Sequence, residues 1–492
     1  MQLIDKSSGS YKLYLTVGSS DKADEVERLY REGKKEIEKL RGQIRLPFYQ
    51  EREQEFLDVF YNNIEDLKLV GPELLLGKLF DEIGFNKITD ELFRHLVITR
   101  LVYPVSKLKT TDYLYKYKGV SYDVVSIYRY LDKLHRNQIE QVQQISYDHT
   151  LKILDHSLSI VFYDVTTLYF EAEQEDDFRQ NGFSKDGKHS QPQIVLGLLV
   201  SAGGYPLTYQ VFEGSKFEGH TMLPVIEAFK EKYKLEQIIV VADAGLLSDK
   251  NIKALIEHKY QYILGARIKN ETDTVQKKLL SLKLADGESK IITKANDVNL
   301  IVSYSKARAK NDEFNRKRGL QKLEKLLVKG KLTKKHINNK GYNKYLKLTG
   351  EVNISIDYDK FKGDVQWDGL KGYLTNTTLT KEEVIDQYKQ LWFIEKTFRI
   401  SKSDLRIRPI YHHLKKRIEA HICIAFAACK IYKELERQLN LLKAGISPEK
   451  SIDILKTIYA LSVRSPYSEA KHTRLVLKND EQVQLLKLFG LL

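Results

Sequence analysis

Cysteine is almost missing from this chain: Cys423 and Cys429 are the only two in 492 residues. Two thiols make no disulfide framework, and a metal cluster needs more ligands, so a reducing, cytoplasmic setting is expected. Both thiols belong to an apolar helical pattern, which reads as core packing and not as reactive chemistry. Also missing is any run of about 18 apolar residues, so no membrane span is predicted. The start, "MQLIDKSSGSYKLYL", has no apolar signal core, and export is not expected. Internal repeats and low-complexity tracts are absent too. What is present is ordinary globular composition, 42% hydrophobic and 30% charged, which excludes global disorder. A chain of this length should divide into two to four domains.

The charge is not ordinary. The net value is +14, and residues 301–350 hold 15 Lys and Arg against Asp312, Glu313 and Glu324. A positive field this local suits a polyanion, because phosphate neutralisation dominates non-specific nucleic-acid affinity. Charge alone does not separate that reading from a solvated, lysine-rich surface.

Periodicity organises the chain into six stretches. Residues 1–70 form an α/β segment, a short strand-like start followed by a charged helical run. From 71 to 158 apolar residues recur at helical spacing, predicting a helical domain, which is the candidate for binding DNA ends. Lys107, Lys109 and Arg129 are its candidate contacts, against the alternative of plain helical packing. At 159 the period changes. "SIVFYDVTTLYFE", "QPQIVLGLLVSAGG" and "YPLTYQVFEGS" read as three consecutive strands, followed by helix–strand alternation to about 270. Together they predict a mixed α/β sheet flanked by helices. Residues 271–370 look like a β-rich, basic insertion around a lysine-rich helix. Residues 371–436 resume the core with a strand, a long helix from Lys381 to about Lys402, and a helix at 414–437. Residues 437–492 are expected to form a helical tail.

Two strands carry carboxylates, Asp164 within "VFYDVTT" and Asp243 at the end of "IIVVADAG". Burying an unpaired charge is costly, and carboxylates at neighbouring strand positions repel unless a cation lies between them. Hard oxygen donors of this kind select Mg²⁺ or Mn²⁺. A strand-end Asp capping a turn is the plainer reading for either one alone. A third carboxylate, Glu395, comes from the helix that opens with Thr380 and Glu383 at capping-box spacing. On an ideal helix Tyr388, Leu391, Glu395 and Lys402 fall within an arc of about 60°. Held together, Asp164, Asp243 and Glu395 would bind metal for phosphodiester displacement. Tyr388 and Lys402 would hold the DNA backbone, and Arg406, Arg408, Lys415, Lys416 and Arg417 extend the positive track.

These residues resemble the DDE transposases of bacterial insertion sequences, which have a ribonuclease-H-like core with an Asp–Asp–Glu metal site. The narrower resemblance is to the group whose glutamate helix reads Tyr-x2-Arg-x3-Glu-x6-Lys and whose core carries a β-rich insertion. Tyr388, Glu395 and Lys402 match that spacing; Leu391 stands at the arginine position, and Arg399, about 20° from Tyr388 on the helical projection, is the candidate replacement. The resemblance implies two Mg²⁺ ions (with Mn²⁺ able to substitute), Asp164 bridging them, and Asp243 and Glu395 each completing one site. It further implies cleavage at terminal inverted repeats, attack of the freed 3′-hydroxyl on target DNA, a homodimer on paired ends, and a nucleoid-associated protein of a prokaryotic cytoplasm. The alternatives are a structure-specific nuclease of the same fold and a non-catalytic DNA-binding relative. Glu171 to Asp177, His412, His413, Trp367 and Trp392 read as loop or packing residues, and Lys185, Lys188 and His189 as a loop that touches DNA.

Overall fold

The computed structural model describes the chain outside residues 7–8, 41–47, 172–173, 183–189, 247–248, 295–296, 334–335, 339–340 and 350–352. The loop residues Lys185, Lys188 and His189 lie outside the described residues. The chain forms two compact units.

The smaller unit combines residues 1–68 with 459–476. It contains a two-stranded hairpin (Gln2–Asp5 with Lys12–Thr16), helices Ala23–Leu40 and Phe48–Asn62, and a three-stranded sheet. In that sheet Tyr459–Arg464 is the central strand, between Ile64–Leu69 and Lys471–Val476. The tail at 437–492 is therefore not all helical. "YALSVR" alternates in burial along its length, a two-residue period that only an extended strand can satisfy.

The larger unit, residues 69–458 and 477–492, is built on an eight-stranded mixed sheet. Its strands are β1 (Ile160–Tyr169), β2 (Gln193–Ser201), β3 (Pro206–Glu213), β4 (Ile239–Ala242), β5 (Gln261–Ala266), β6 (Ser289–Thr293), β7 (Asn299–Tyr304) and β8 (Leu370–Thr375), in the order β3-β2-β1-β4-β5-β8-β7-β6. The first three pair antiparallel as consecutive hairpins, and β4 and β5 then run parallel to β1. This order and these directions are those of the ribonuclease-H-like core. Residues of both faces of β1 and β2 are buried, as continuous apolar runs require of central strands.

Between β5 and β8 lies the insertion. Of the four strands among its described residues, two continue the core sheet: β7 pairs antiparallel with β8, and β6 pairs antiparallel with β7 at the sheet's edge. The others, Leu346–Thr349 and Asn353–Ile356, form a separate hairpin beside the lysine-rich helix α1 (Lys306–Val328). Beyond β8, the glutamate helix is two helices, α2 (Lys381–Lys389) and α3 (Leu391–Arg399), followed by a wider turn over Ile400–Asp404. The last long helix, α4 (Lys415–Leu441), is buried on all sides over "ICIAFAAC". The helices of residues 78–153 gather around it, so that region belongs to the same compact unit as the core. Cys423 and Cys429 are buried there, as their apolar surroundings predicted.

Candidate active site

Register brings the two aspartates together. In the β1–β4 ladder Tyr163 pairs with Ala242, so Asp164 and Asp243 occupy the next position on neighbouring parallel strands. Such strands lie about 4.8 Å apart. Asp164 is half-buried and its Oδ1 accepts a 2.8 Å hydrogen bond from the Val165 amide. Asp243, just past the end of β4, is exposed.

The glutamate helix reaches this point because its start is fixed. Thr380 caps α2, accepting from the Glu383 amide while Glu383 Oε2 accepts from the Thr380 amide at 2.8 Å. Two turns later Tyr388 is buried and its hydroxyl donates to Asp243 Oδ1 at 2.9 Å. Gly265 on β5 makes the approach possible. A Cβ there would collide with the Tyr388 hydroxyl and stand 2.9 Å from the Ala244 nitrogen. The Tyr388 ring packs edge-on to Tyr373, with centroids 5.0 Å apart, and the Lys371 ammonium sits 4.4 Å over it. Burial above all, reinforced by the Asp243 carboxylate, pushes the Tyr388 hydroxyl up and keeps it a proton donor.

The helix breaks at Gln390, where ψ is −8°, and α3 packs against β1 and the Ala202–Gly204 turn. There Thr397 Oγ1 donates to the carbonyl of Gly204, a residue at φ +79° where a side chain would be strained. This break and the wider turn at 400–404 shift the helical phase. The single face expected for Tyr388, Leu391, Glu395 and Lys402 does not form: Tyr388 and Leu391 are buried, Lys402 is half-buried and Glu395 is exposed. Glu395 nonetheless shares its surroundings with Asp243, since the charges of both act on Lys371 and on Tyr388.

In donor chemistry, Asp164 and Asp243 side by side suit a hard divalent cation. Among the described residues, no three His, Cys, Asp or Glu side chains are grouped to hold one. The aspartates fit as a pair, and Glu395 is not drawn up with them.

From Asp243 and Tyr388 a cleft of about 900 Å³ runs between β5–β8 and the basic helix α1. Several of its cations are already matched: Arg316 to Asp368, and Lys269 (2.8 Å) and Lys344 (2.5 Å) to Asp364. The proposed track beyond the helix is also partly spent. Lys416 and Arg417 bind Asp132 at 3.0 and 2.9 Å, tying α4 to helix Val124–Asn137. Arg408 stacks 5.5 Å over Tyr169, Lys415 lies 4.9 Å over Phe178, and Arg406 and Arg399 are exposed. Arg399 acts electrostatically on Asp404. Lys107, expected on a DNA-reading surface, is instead buried next to Arg100 and is no surface contact; Lys109 and Arg129 are exposed. Trp367 lies in the core and Trp392 is half-exposed, stacked 4.1 Å from Phe393. His413 accepts from Arg179 at 2.9 Å, and His412 packs against His421 and Tyr128. Lys371 and Gly265 were not foreseen: Lys371 directly precedes "GYLTNT" and Gly265 lies within "YQYILGARI", stretches that read only as strands.

A family model described as a transposase DDE domain matches residues 155–429, more than half of the chain. The chain belongs to that family. By family it is a DDE transposase, and the matched span takes in Asp164, Asp243, Glu395, Lys371 and the whole basic insertion. No curated protein matches the transposase. Among solved structures it is similar to a piggyBac transposase, determined as a synaptic complex with hairpin DNA. The TM-score is 0.39 and the identity 11%, over 79% of each chain. Among the described residues of this transposase no helix is long and apolar enough to cross a membrane.

Proposed function

We propose that this transposase cleaves double-stranded DNA at the terminal inverted repeats of an insertion element and joins the freed 3′-hydroxyl ends to target DNA. The observation that carries the reading is the pair of aspartates in register on β1 and β4, with Tyr388 of the glutamate helix bonded to one of them.

Asp164 and Asp243 would hold divalent metal, Mg²⁺ by donor chemistry and two ions by family likeness, with Mn²⁺ a substitute; Glu395 would complete the coordination. When bound, such ions acidify water and neutralise charge on the phosphodiester. In cleavage the water oxygen bonds to phosphorus as the bond to the 3′-oxygen breaks, and that oxygen leaves as a hydroxyl. In joining, the same hydroxyl attacks a target phosphodiester and releases a target 3′-hydroxyl. Tyr388 positions Asp243 by holding one of its oxygens. Lys402, Arg399, Arg406, Arg408 and Lys415 are the contacts for the DNA backbone; Lys416 and Arg417 serve chiefly to fix α4 through Asp132. The working form is a homodimer on paired ends, acting in the cytoplasm on nucleoid DNA.

A supercoiled plasmid carrying the DNA that flanks the gene tests this with Mg²⁺. Wild-type protein should cut and integrate, and Asp164→Ala should do neither. Nicking without joining would replace the reading with a nuclease; equal activity of Asp164→Ala would remove the metal site.

A further inference from the structure

Lys371 is a cation at the site that sits near carboxylates without pairing to one among the described residues. Lys371 comes from β8, a strand held on both sides by β5 and β7, so its position is set by the sheet and not by a loop. Its side chain is half-buried and its ammonium lies 4.4 Å over the Tyr388 ring, within electrostatic reach of Asp243 and Glu395. Among the described residues Lys371 forms no ion pair. Asp243, the carboxylate beside it, already accepts from Tyr388. The helix supplies no competing cation at this level, because Lys389 is exposed and paired with Asp386 at 2.8 Å while Leu391 is buried. Lys371 also lines the cleft that opens at Asp243.

An ammonium drawn halfway out of water without a carboxylate is costly until an anion reaches it. The aromatic ring beneath offsets part of that cost, and the residue lines the cleft from which an anion would approach. A phosphate suits this arrangement, since lysine binds phosphate as a compact point charge.

We propose that Lys371 is a catalytic residue that holds a non-bridging oxygen of the scissile phosphodiester beside Asp243. The proposal rests on the transposase reading above. It assigns Lys371 to the substrate and Tyr388 to the carboxylate, two neighbouring groups with different clients.

The experiment uses the full chain and duplexes made from the DNA flanking the gene, with either a phosphate or a neutral methylphosphonate at the element–host junction. Lys371→Met should slow single-turnover cleavage with Mg²⁺ on the order of 10²-fold, as loss of a transition-state contact does. Lys371→Arg, which keeps the charge, should recover most of it. Melting temperatures of all three should agree. Methylphosphonate should weaken binding to wild type in EDTA and leave binding to Lys371→Met unchanged. Lys371→Met cleaving at the wild-type rate, or showing the same methylphosphonate sensitivity as wild type, overturns the assignment. A wild-type protein that leaves the phosphate duplex intact with both Mg²⁺ and Mn²⁺ counts against the transposase reading instead; the binding comparison then still decides the role of Lys371.

Discussion

Lys433 and Lys371 are both lysines drawn out of water, and their surroundings are opposite. Lys433, on α4, is 2% exposed and ion-paired with Glu436, which also takes Lys396 from α3. One turn away Arg437 binds Glu434 at 2.6 Å. In this cluster every carboxylate has a cation, and the matched charges fasten the glutamate helix to α4. Lys371 has aromatic rings below it, two carboxylates at a distance and no ion pair among the described residues. Matched charge finishes a structure; unmatched charge at the mouth of a cleft awaits something else.

The sharpest way to break the comparison is to remove a carboxylate from each cluster. Asp243→Ala should reduce cleavage on the order of 10³-fold and leave the melting temperature close to wild type, because an exposed acid contributes function and not packing. Single-turnover kinetics beside a thermal melt checks both halves. Glu436→Ala should do the reverse. It strands Lys433 and Lys396, costing about 3 kcal/mol in urea denaturation of the larger unit. Its cleavage rate per folded molecule should stay near wild type; a loss of rate matching Asp243→Ala would erase the distinction between the clusters.

A smaller effect is expected one contact away. Gly265→Ala forces the Tyr388 hydroxyl off Asp243 and should slow cleavage roughly tenfold, within the cost of a misplaced group. Tyr388→Phe removes the same hydrogen bond. Combined with Gly265→Ala, it should add little if both act through Asp243, and fully additive losses would show that they do not.

The smallest effect is a slope. Lys430, wholly buried on α4, has its ammonium pushed down to about 7 by burial, with Glu434 opposing the shift from 10.5. Between those values the unfolded chain binds the proton and the folded chain does not, so stability from this site rises with pH across the window. Melting temperatures from pH 7 to 9 should rise by roughly a few degrees more in wild type than in Lys430→Met.

Much of the fold was legible where pattern is local. The three hairpin strands, the alternation that follows, the Thr380 capping box and the buried cysteines all follow from spacing within about a dozen residues. Of the candidate site, the two strand aspartates and the helix that carries Tyr388 and Glu395 were legible, but the contacts among them were not. Nothing in "YKQLWFI" signals a break at Gln390, since neither Pro nor Gly marks it, so an ideal helical projection carried the phase too far. Arg417 looked like a DNA contact because Asp132, its partner, is 285 positions away. Lys371 carried no signal in the sequence, because only folding brings the Tyr388 ring beneath it. The hairpin at 459–476 was missed because flanking helices dominated a short two-residue period.

That hairpin has a consequence for how much of the chain can be dispensed with. Ile64–Leu69 finds its sheet partner in Tyr459–Arg464, nearly four hundred residues later. During synthesis the early strand must wait, its backbone amides and carbonyls uncapped, until almost the whole polypeptide has emerged. A product stopped before residue 459 would keep every carboxylate of the site and still carry an open β-edge, the kind of surface on which chains join one another. The last strands thus act as a seal on the first ones, and shortened forms of this transposase should be recognised by their self-association before any loss of chemistry is measured.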